Sequence, residues 1–172
     1  MKFIGITGGV GAGKSEILSH LAKKTGIKVM LADEIAHDRM EPGTDCYRCL
    51  AEAFAGEDIF LPQGGFDRGK LAEVIFSDPG KRERLNAIIH PAVKEYVLRV
   101  REEEERRGET RMLVLEAALL IEEHYDAVCD ELWYIYTDEA HRRERLMKSR
   151  GYSPEKISGI FASQLPEETY RR

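Results

Sequence analysis

The run Gly8-Gly9-Val10-Gly11-Ala12-Gly13-Lys14-Ser15 fits the spacing G-x-x-x-x-G-K-[ST] at every fixed position. Those residue types, in that order, hold a polyphosphate. Several backbone N–H groups must converge on one anion, and glycines permit the positive φ angles and close approach this requires. A helix starting behind the loop adds partial positive charge. Lys14 is a point charge for β- and γ-phosphates, and the Ser15 hydroxyl is a hard oxygen ligand for Mg²⁺. The candidate ATP-binding residues are therefore Gly9, Gly11, Ala12, Gly13, Lys14, Ser15 and Glu16, with Ser15 the metal ligand. The Glu16 carboxylate either repels an α-phosphate or points outward.

A polyphosphate loop alone does not name a reaction. Base-reading GTPases need N-K-x-D, and the only asparagine here is Asn86. Two acids follow apolar runs, where a parallel sheet places its ligands. Asp33 follows Val29-Met30-Leu31-Ala32, and Glu116 follows Met112-Leu113-Val114-Leu115. Each is a candidate for the chemistry, Asp33 as the acid that orients an acceptor hydroxyl and Glu116 as a substrate or Mg²⁺-shell acid. The alternative for each is an ordinary N-cap or turn acid. Residues 138–150 carry Arg142, Arg143, Arg145, Lys148 and Arg150 on an otherwise acidic chain. This cluster reads as a lid, about 138–152, that brings arginines to phosphates. The alternative is a solvated basic face paired to Glu139 and Glu144.

These groups need a scaffold. Residues 2–7 read as a buried strand, Lys14 to Lys24 as a helix ended by Gly26, and Lys28 to Ala32 as a second strand, which makes a βαβ unit. From Glu34 to about Arg107 the periodicity is helical. Pro91 predicts a break at His90 with a new helix starting at the proline. Gly64-Gly65 and Pro79-Gly80 predict turns. The charged run Arg99 to Arg107 predicts a solvated helix end. Strands return at Arg111 to Glu116 and Glu131 to Thr137. Thr137 or Asp138 then caps a helix that stops near Gly151, and Ser153-Pro154 opens another. Strands separated by helices predict a parallel sheet covered on both faces, with the helical middle inserted between two of its strands. The chain ends on Thr169 to Arg172 after a helix. A closing strand is therefore expected to be missing, either because the sheet is short or because the sequence is a piece of a longer one.

Composition excludes several classes of partner. The 172 residues carry 26 basic and 31 acidic side chains, a formal charge of −5, which argues against a duplex-binding protein. No apolar run exceeds five residues, so no membrane span is expected. The start, Met1 to Ile6, shows no signal peptide. Three cysteines make no disulfide scaffold, and a reducing, cytoplasmic setting is expected. Cys46 and Cys49 read as two small side chains near one helix face.

Nearly the whole chain resembles bacterial dephospho-coenzyme A kinases. The matching pieces, in order, are Ile6 to Ser15, Ala32-Asp33, Glu41-Pro42-Gly43, Phe66-Asp67-Arg68-Gly69-Lys70-Leu71, Ile75-Phe76, Leu85-Asn86-Ala87-Ile88-Ile89-His90-Pro91, Leu119-Leu120-Ile121-Glu122, Arg145-Leu146 and Gln164. The Leu-Asn-Ala-x-x-His-Pro stretch is far more specific than the glycine loop. The resemblance implies an α/β, P-loop NTPase three-layer sandwich with a parallel sheet. Its core would be residues 1–33 and 110–172, with a helical CoA-substrate domain over 34–109 and a short lid. It implies transfer of the ATP γ-phosphate to the ribose 3′-hydroxyl of dephospho-CoA, the last step of CoA synthesis, by a monomer or weak homo-oligomer. Asp33, Lys14 and Arg145 would be catalytic. Thr7, Asp33, Arg68, His90 and Glu116 would bind the acceptor, and Arg150 would be a second lid arginine. For His90 the alternative is a histidine that fixes a helix start before Pro91. Where the family often has Asp-Ala-Asp, this chain has Leu31-Ala32-Asp33, and it has Glu16 where a threonine is usual. A nucleoside or nucleotide kinase of the same fold, or a nucleotide-binding module without transfer, are the rival readings.

Overall fold

A computed structural model describes residues 1–170; Arg171 and Arg172, the end of the run discussed above, lie outside the described residues. The elements are β1 (Lys2–Thr7), α1 (Lys14–Ala22), β2 (Ile27–Leu31), α2 (Ala32–Arg39), α3 (Asp45–Ala53), α4 (Arg68–Ser77) and α5 (Pro79–Arg107). There follow β3 (Met112–Glu116), a 3₁₀ turn (Tyr125–Ala127), β4 (Glu131–Tyr134), α6 (Glu139–Arg150), α7 (Pro154–Ala162) and α8 (Glu167–Tyr170). The chain divides into two compact units. One is residues 1–31 with the chain from 104 onward, and the other is Ala32–Glu103.

In the first unit the strands form one sheet in the order β2-β3-β1-β4, with every pair parallel. Parallel neighbours need a crossover each, and helices supply them, so both faces of the central strand are covered. Burial follows: residues 3–7 of β1 are all buried, without alternation. Ile4, Ile6, Leu18 and Val114 form a buried cluster on one face, with Ile17, Leu21 and Trp133 against it. Register places the ends together. Ile6 and Leu31 both pair with Glu116, and Thr7 pairs with Tyr134. The glycine loop and Glu116 therefore leave the same edge of the sheet. The predicted α/β architecture with a parallel sheet is the one observed.

Helix α5 corrects three expectations. Helix α5 runs through Pro91 without a break, so His90 sits mid-helix and fixes no helix start. The reason is a stripe of Leu85, Ile89, Val93, Val97 and Val100, all buried, on both sides of the proline. Each such side chain contributes about 2 kcal/mol of burial, against about 3 kcal/mol for an interior proline. Pro91 and Ala87, the residue whose carbonyl loses its bond, are both exposed. The proline that does open a helix is Pro79. Asp78 Oδ1 accepts from the amides of Gly80 at 2.8 Å and Lys81 at 3.2 Å, so Pro79-Gly80 is a first helical turn and not a loop.

The third correction is Glu104. It lies in the charged run predicted to be solvated, yet it is only 5% exposed. Its carboxylate accepts from Lys28 Nζ at 2.8 Å and from the Thr110 hydroxyl at 2.5 Å, and Arg107 stands at 3.4 Å. A buried carboxylate must be paired, and these partners join the end of α5 to β2. The hydrogen bond from Lys28, then that from Thr110, holds the Glu104 carboxyl below the ordinary glutamate range. Such a group adds stability above that range and loses it as pH falls through the depressed value. Glu104→Gln should lower the melting temperature by several degrees at neutral pH. The gap to wild type should close in acid. A gap that persists unchanged through the acid range would show that the ionised carboxylate contributes nothing.

Candidate active site

The loop between β1 and α1 contains almost no side chains to hold its shape, so its main chain is held from outside. Lys14 Nζ donates to the Gly8 carbonyl at 2.7 Å. The Ala12 amide donates to the Gly9 carbonyl at 3.1 Å, closing a turn inside the loop. Gly13 caps α1 with φ of 98°, a left-handed conformation that an L side chain adopts only under strain. Lys14 Nζ also stands 3.7 Å from Glu116 Oε1, with both side chains more than four-fifths buried. The pair places one positive and one negative group at the loop's inner wall, next to the end of the central strand. Ser15 and Glu16 are exposed in the first turn of α1, so the Glu16 side chain is not folded into the loop. Thr7 is 3% exposed, enclosed at the end of β1.

Helix α6 meets the loop from the other side. Asp138 caps it by accepting from the His141 amide at 3.1 Å, and that backbone bond holds the Asp138 carboxyl below its usual value. Gly151 ends the helix in a left-handed conformation. Its cations divide into three groups. Arg142 Nε donates to the Val10 carbonyl at 2.9 Å, and Arg145 stands 3.4 Å and 3.5 Å from the carbonyls of Gly11 and Ala12. Arg143 pairs with Glu139 at 2.7 Å and Lys148 with Glu144 at 2.6 Å, so these two form the solvated basic face. Arg150 stands over the Tyr152 ring at 5.9 Å. The predicted arginine cluster is thus partly a loop contact and partly a surface ion-pair network. Beside Gly9 lies a cavity of about 280 Å³ lined by Tyr134, Tyr136, Phe161, Gln164 and Tyr170. Tyr134 and Tyr170 stack at 4.7 Å, and burial pushes the Tyr170 hydroxyl up.

Among the described residues no group of three or more His, Cys, Asp or Glu side chains could hold a metal ion. Nor is any described helix long and apolar enough to cross a membrane. The remaining candidates belong to the helical unit. Asp33 is the second residue of α2, exposed in its first turn and two residues past the last residue of β2, so it is not an N-cap. Arg68 opens α4 behind the Asp67 cap and stands 3.8 Å from Glu41. With His37, Met40, Phe66, Leu71 and Ile75 it lines a cavity of about 220 Å³. His90 lies in α5. Cys46 is buried and Cys49 exposed, one helical turn apart on α3, and burial raises the Cys46 thiol.

A family model described as "CoaE: Dephospho-CoA kinase" matches residues 2–172. The chain belongs to the dephospho-CoA kinase family. The family is one of ATP-dependent kinases. Relatives named dephospho-CoA kinase include one from Geobacter sulfurreducens, 39% identical over 98% of this chain and 84% of its own length. Another, from Symbiobacterium thermophilum, is 36% identical over 100% of this chain and 71% of its own length. Among solved structures, TT1252 from Thermus thermophilus superposes with a TM-score of 0.75 at 30% identity, covering 99% of this chain and 83% of that one. A dephospho-CoA kinase from Campylobacter jejuni shares the fold, with a TM-score of 0.67.

Arg142, which the sequence offered only as one of a cluster, is the arginine with the shortest bond to the loop. Its signal was spacing: Arg142 and Arg145 are three residues apart and share a helix face, while Arg143 does not. Gly13→Ala should cost about 1 kcal/mol of stability through the left-handed backbone, measured by urea unfolding, and should weaken ATP binding. Unchanged unfolding and unchanged binding would show that the loop backbone tolerates another conformation.

Proposed function

We propose that this chain transfers the γ-phosphate of ATP to the 3′-hydroxyl of dephospho-CoA, giving CoA and ADP. The observation that carries the reading is the match to the dephospho-CoA kinase family over residues 2–172. The glycine loop with Lys14 at its inner wall supports it. Lys14 and the loop amides hold the phosphates, and Ser15, with Glu116 as a shell acid, would hold Mg²⁺. Both are hard oxygen donors, and magnesium commonly takes only one or two protein ligands and completes its shell with phosphate and water. Bound there, the ion would neutralise charge on the β- and γ-phosphates. Asp33 accepts or orients the proton of the acceptor hydroxyl for in-line attack. Arg145 spreads positive charge over the transferring group. Segment 34–109 receives dephospho-CoA, with Thr7, Arg68, His90 and Glu116 as its contacts. The cavity beside Arg68 is mainly apolar, with Arg68, Glu41 and His37 as its polar side chains, and suits an uncharged arm of the acceptor. Arg150 is the second arginine of the 138–152 lid.

No covalent intermediate is required, because positioning and electrostatics lower the barrier for this transfer. The test is ADP release coupled to dephospho-CoA, with Lys14→Ala and Asp33→Asn alongside. Wild type should saturate with dephospho-CoA, and Lys14→Ala should lose ATP binding. Asp33→Asn should slow turnover by about a hundredfold or more and leave ATP affinity near normal. Turnover with nucleosides or nucleotides in place of dephospho-CoA would give the chain a different acceptor. Binding of ATP without transfer to any of them would make it a nucleotide-binding module. Full turnover in Asp33→Asn would remove that residue from the chemistry.

A further inference from the structure

The peptide planes of the glycine loop have a feature that the phosphate motif does not require. A trans peptide points its C=O and its N–H in opposite directions. Whatever holds the carbonyl of one residue therefore aims the amide of the next. Three loop carbonyls accept side-chain hydrogen bonds shorter than 3 Å: Gly8 from Lys14 at 2.7 Å, Val10 from Arg142 at 2.9 Å and Ala12 from the Thr137 hydroxyl at 2.9 Å, with Arg145 making longer contacts to Gly11 at 3.4 Å and Ala12 at 3.5 Å. The amides on the far side of those peptides belong to Gly9, Gly11 and Gly13. Among the described residues, none of those three amides donates to a protein acceptor, whereas the intervening Ala12 amide is spent on Gly9.

Two of the three holding donors come from one segment, Thr137 just before α6 and Arg142 within it. Arg142 is itself fixed. Its guanidinium lies 4.1 Å from the centroid of the Phe161 ring and donates to Gln164 Oε1 at 2.5 Å, both contributed by α7 and the residues after it. The guanidinium also packs on Gly9 so closely that a methyl there would stand 2.4 Å from its central carbon. Its Nε–H thus faces Val10 before any anion arrives, and aiming the Gly11 amide costs no reorganisation.

We propose that Arg142 and Thr137 are positioning residues of the phosphate loop. They hold the Val10 and Ala12 carbonyls outward so that the Gly11 and Gly13 amides point at the polyphosphate. Arg142 acts through the backbone and not as a lid cation on the phosphates. The proposal rests on the reading that this loop binds ATP.

The side chains of glutamine and arginine share their connectivity through the fourth atom, Cβ, Cγ, Cδ and the nitrogen that follows. The amide nitrogen of Arg142→Gln therefore falls where Nε stood, without the charge. Arg142→Met removes both donor and charge. Calorimetry with sodium tripolyphosphate and with MgATP reads the loop without the acceptor. Arg142→Met should weaken both ligands about tenfold, the loss of one charge-assisted hydrogen bond. Arg142→Gln should stay within about threefold of wild type, and the KM for dephospho-CoA should hardly move in either. Thr137→Val, which keeps the side-chain shape, should weaken both ligands several-fold and decides the matter if Arg142→Met does not fold. Gln as weak as Met would make Arg142 a phosphate cation and overturn the proposal. So would wild-type affinity in Arg142→Met or, failing that variant, in Thr137→Val. If wild type itself ignores both ligands, the ATP reading has failed, and this one with it.

Discussion

A loop made mostly of glycine cannot hold its own shape. Between Thr7 and Lys14 only Val10 and Ala12 carry side chains, and neither has a polar atom. Apart from one turn of its own, the constraints on that backbone are imported: an ammonium from α1, and a hydroxyl and guanidinium groups from the segment opening with Thr137. The freedom that lets the amides approach a polyphosphate is the freedom that would scatter them without those donors. The rest of the first unit can be understood as what brings the donors to the loop.

The sheet does most of this. β1 lies between β3 and β4, both parallel to it, so the residues that follow each strand leave at one edge. After β3 that residue set begins with Glu116 and meets Lys14. After β4 the chain passes through Ile135, whose amide donates to the Thr7 carbonyl at 2.9 Å, into Thr137 and α6. Close approach of the strands is itself a sequence property. A methyl on Gly5 in β1 would stand 2.6 Å from Leu132 Cδ2 in β4, so a larger residue there would shift the side chain against which β1 rests. β4 carries α6, so that shift would also bear on the loop's outer donors.

What could be read from sequence was whatever has a local cause. The glycine spacing, the Asp138 and Ser153 caps and the glycine at position 151 each act within a few residues, and each is where the pattern put it. What could not be read had a distant cause. Glu104 sits in a run of four glutamates that differ only in what lies opposite them, and Lys28 is 76 positions away. Pro91 looks like a helix breaker until the buried stripe on both sides of it is weighed against one missing N–H. Asp33 and Glu116 looked alike from sequence, acids after apolar runs. One opens a helix in the first turn, and the other pairs with the loop lysine.

The arginines of α6 carry the same lesson into the site. By composition they are one basic cluster, and by charge they are interchangeable. Helical geometry separates them: positions 142 and 145 face the loop, 143 faces Glu139, and 150 lies at the far end beside Tyr152. A guanidinium that binds a carbonyl of its own protein works by geometry, through a fixed fork of donors. One that meets a phosphate works chiefly by charge, over a longer range and with less demand on angle. The same residue type can therefore serve two different physical functions at adjacent positions, 142 and 143, on one helix. Only the acceptor opposite each guanidinium, a backbone oxygen or a carboxylate, tells them apart.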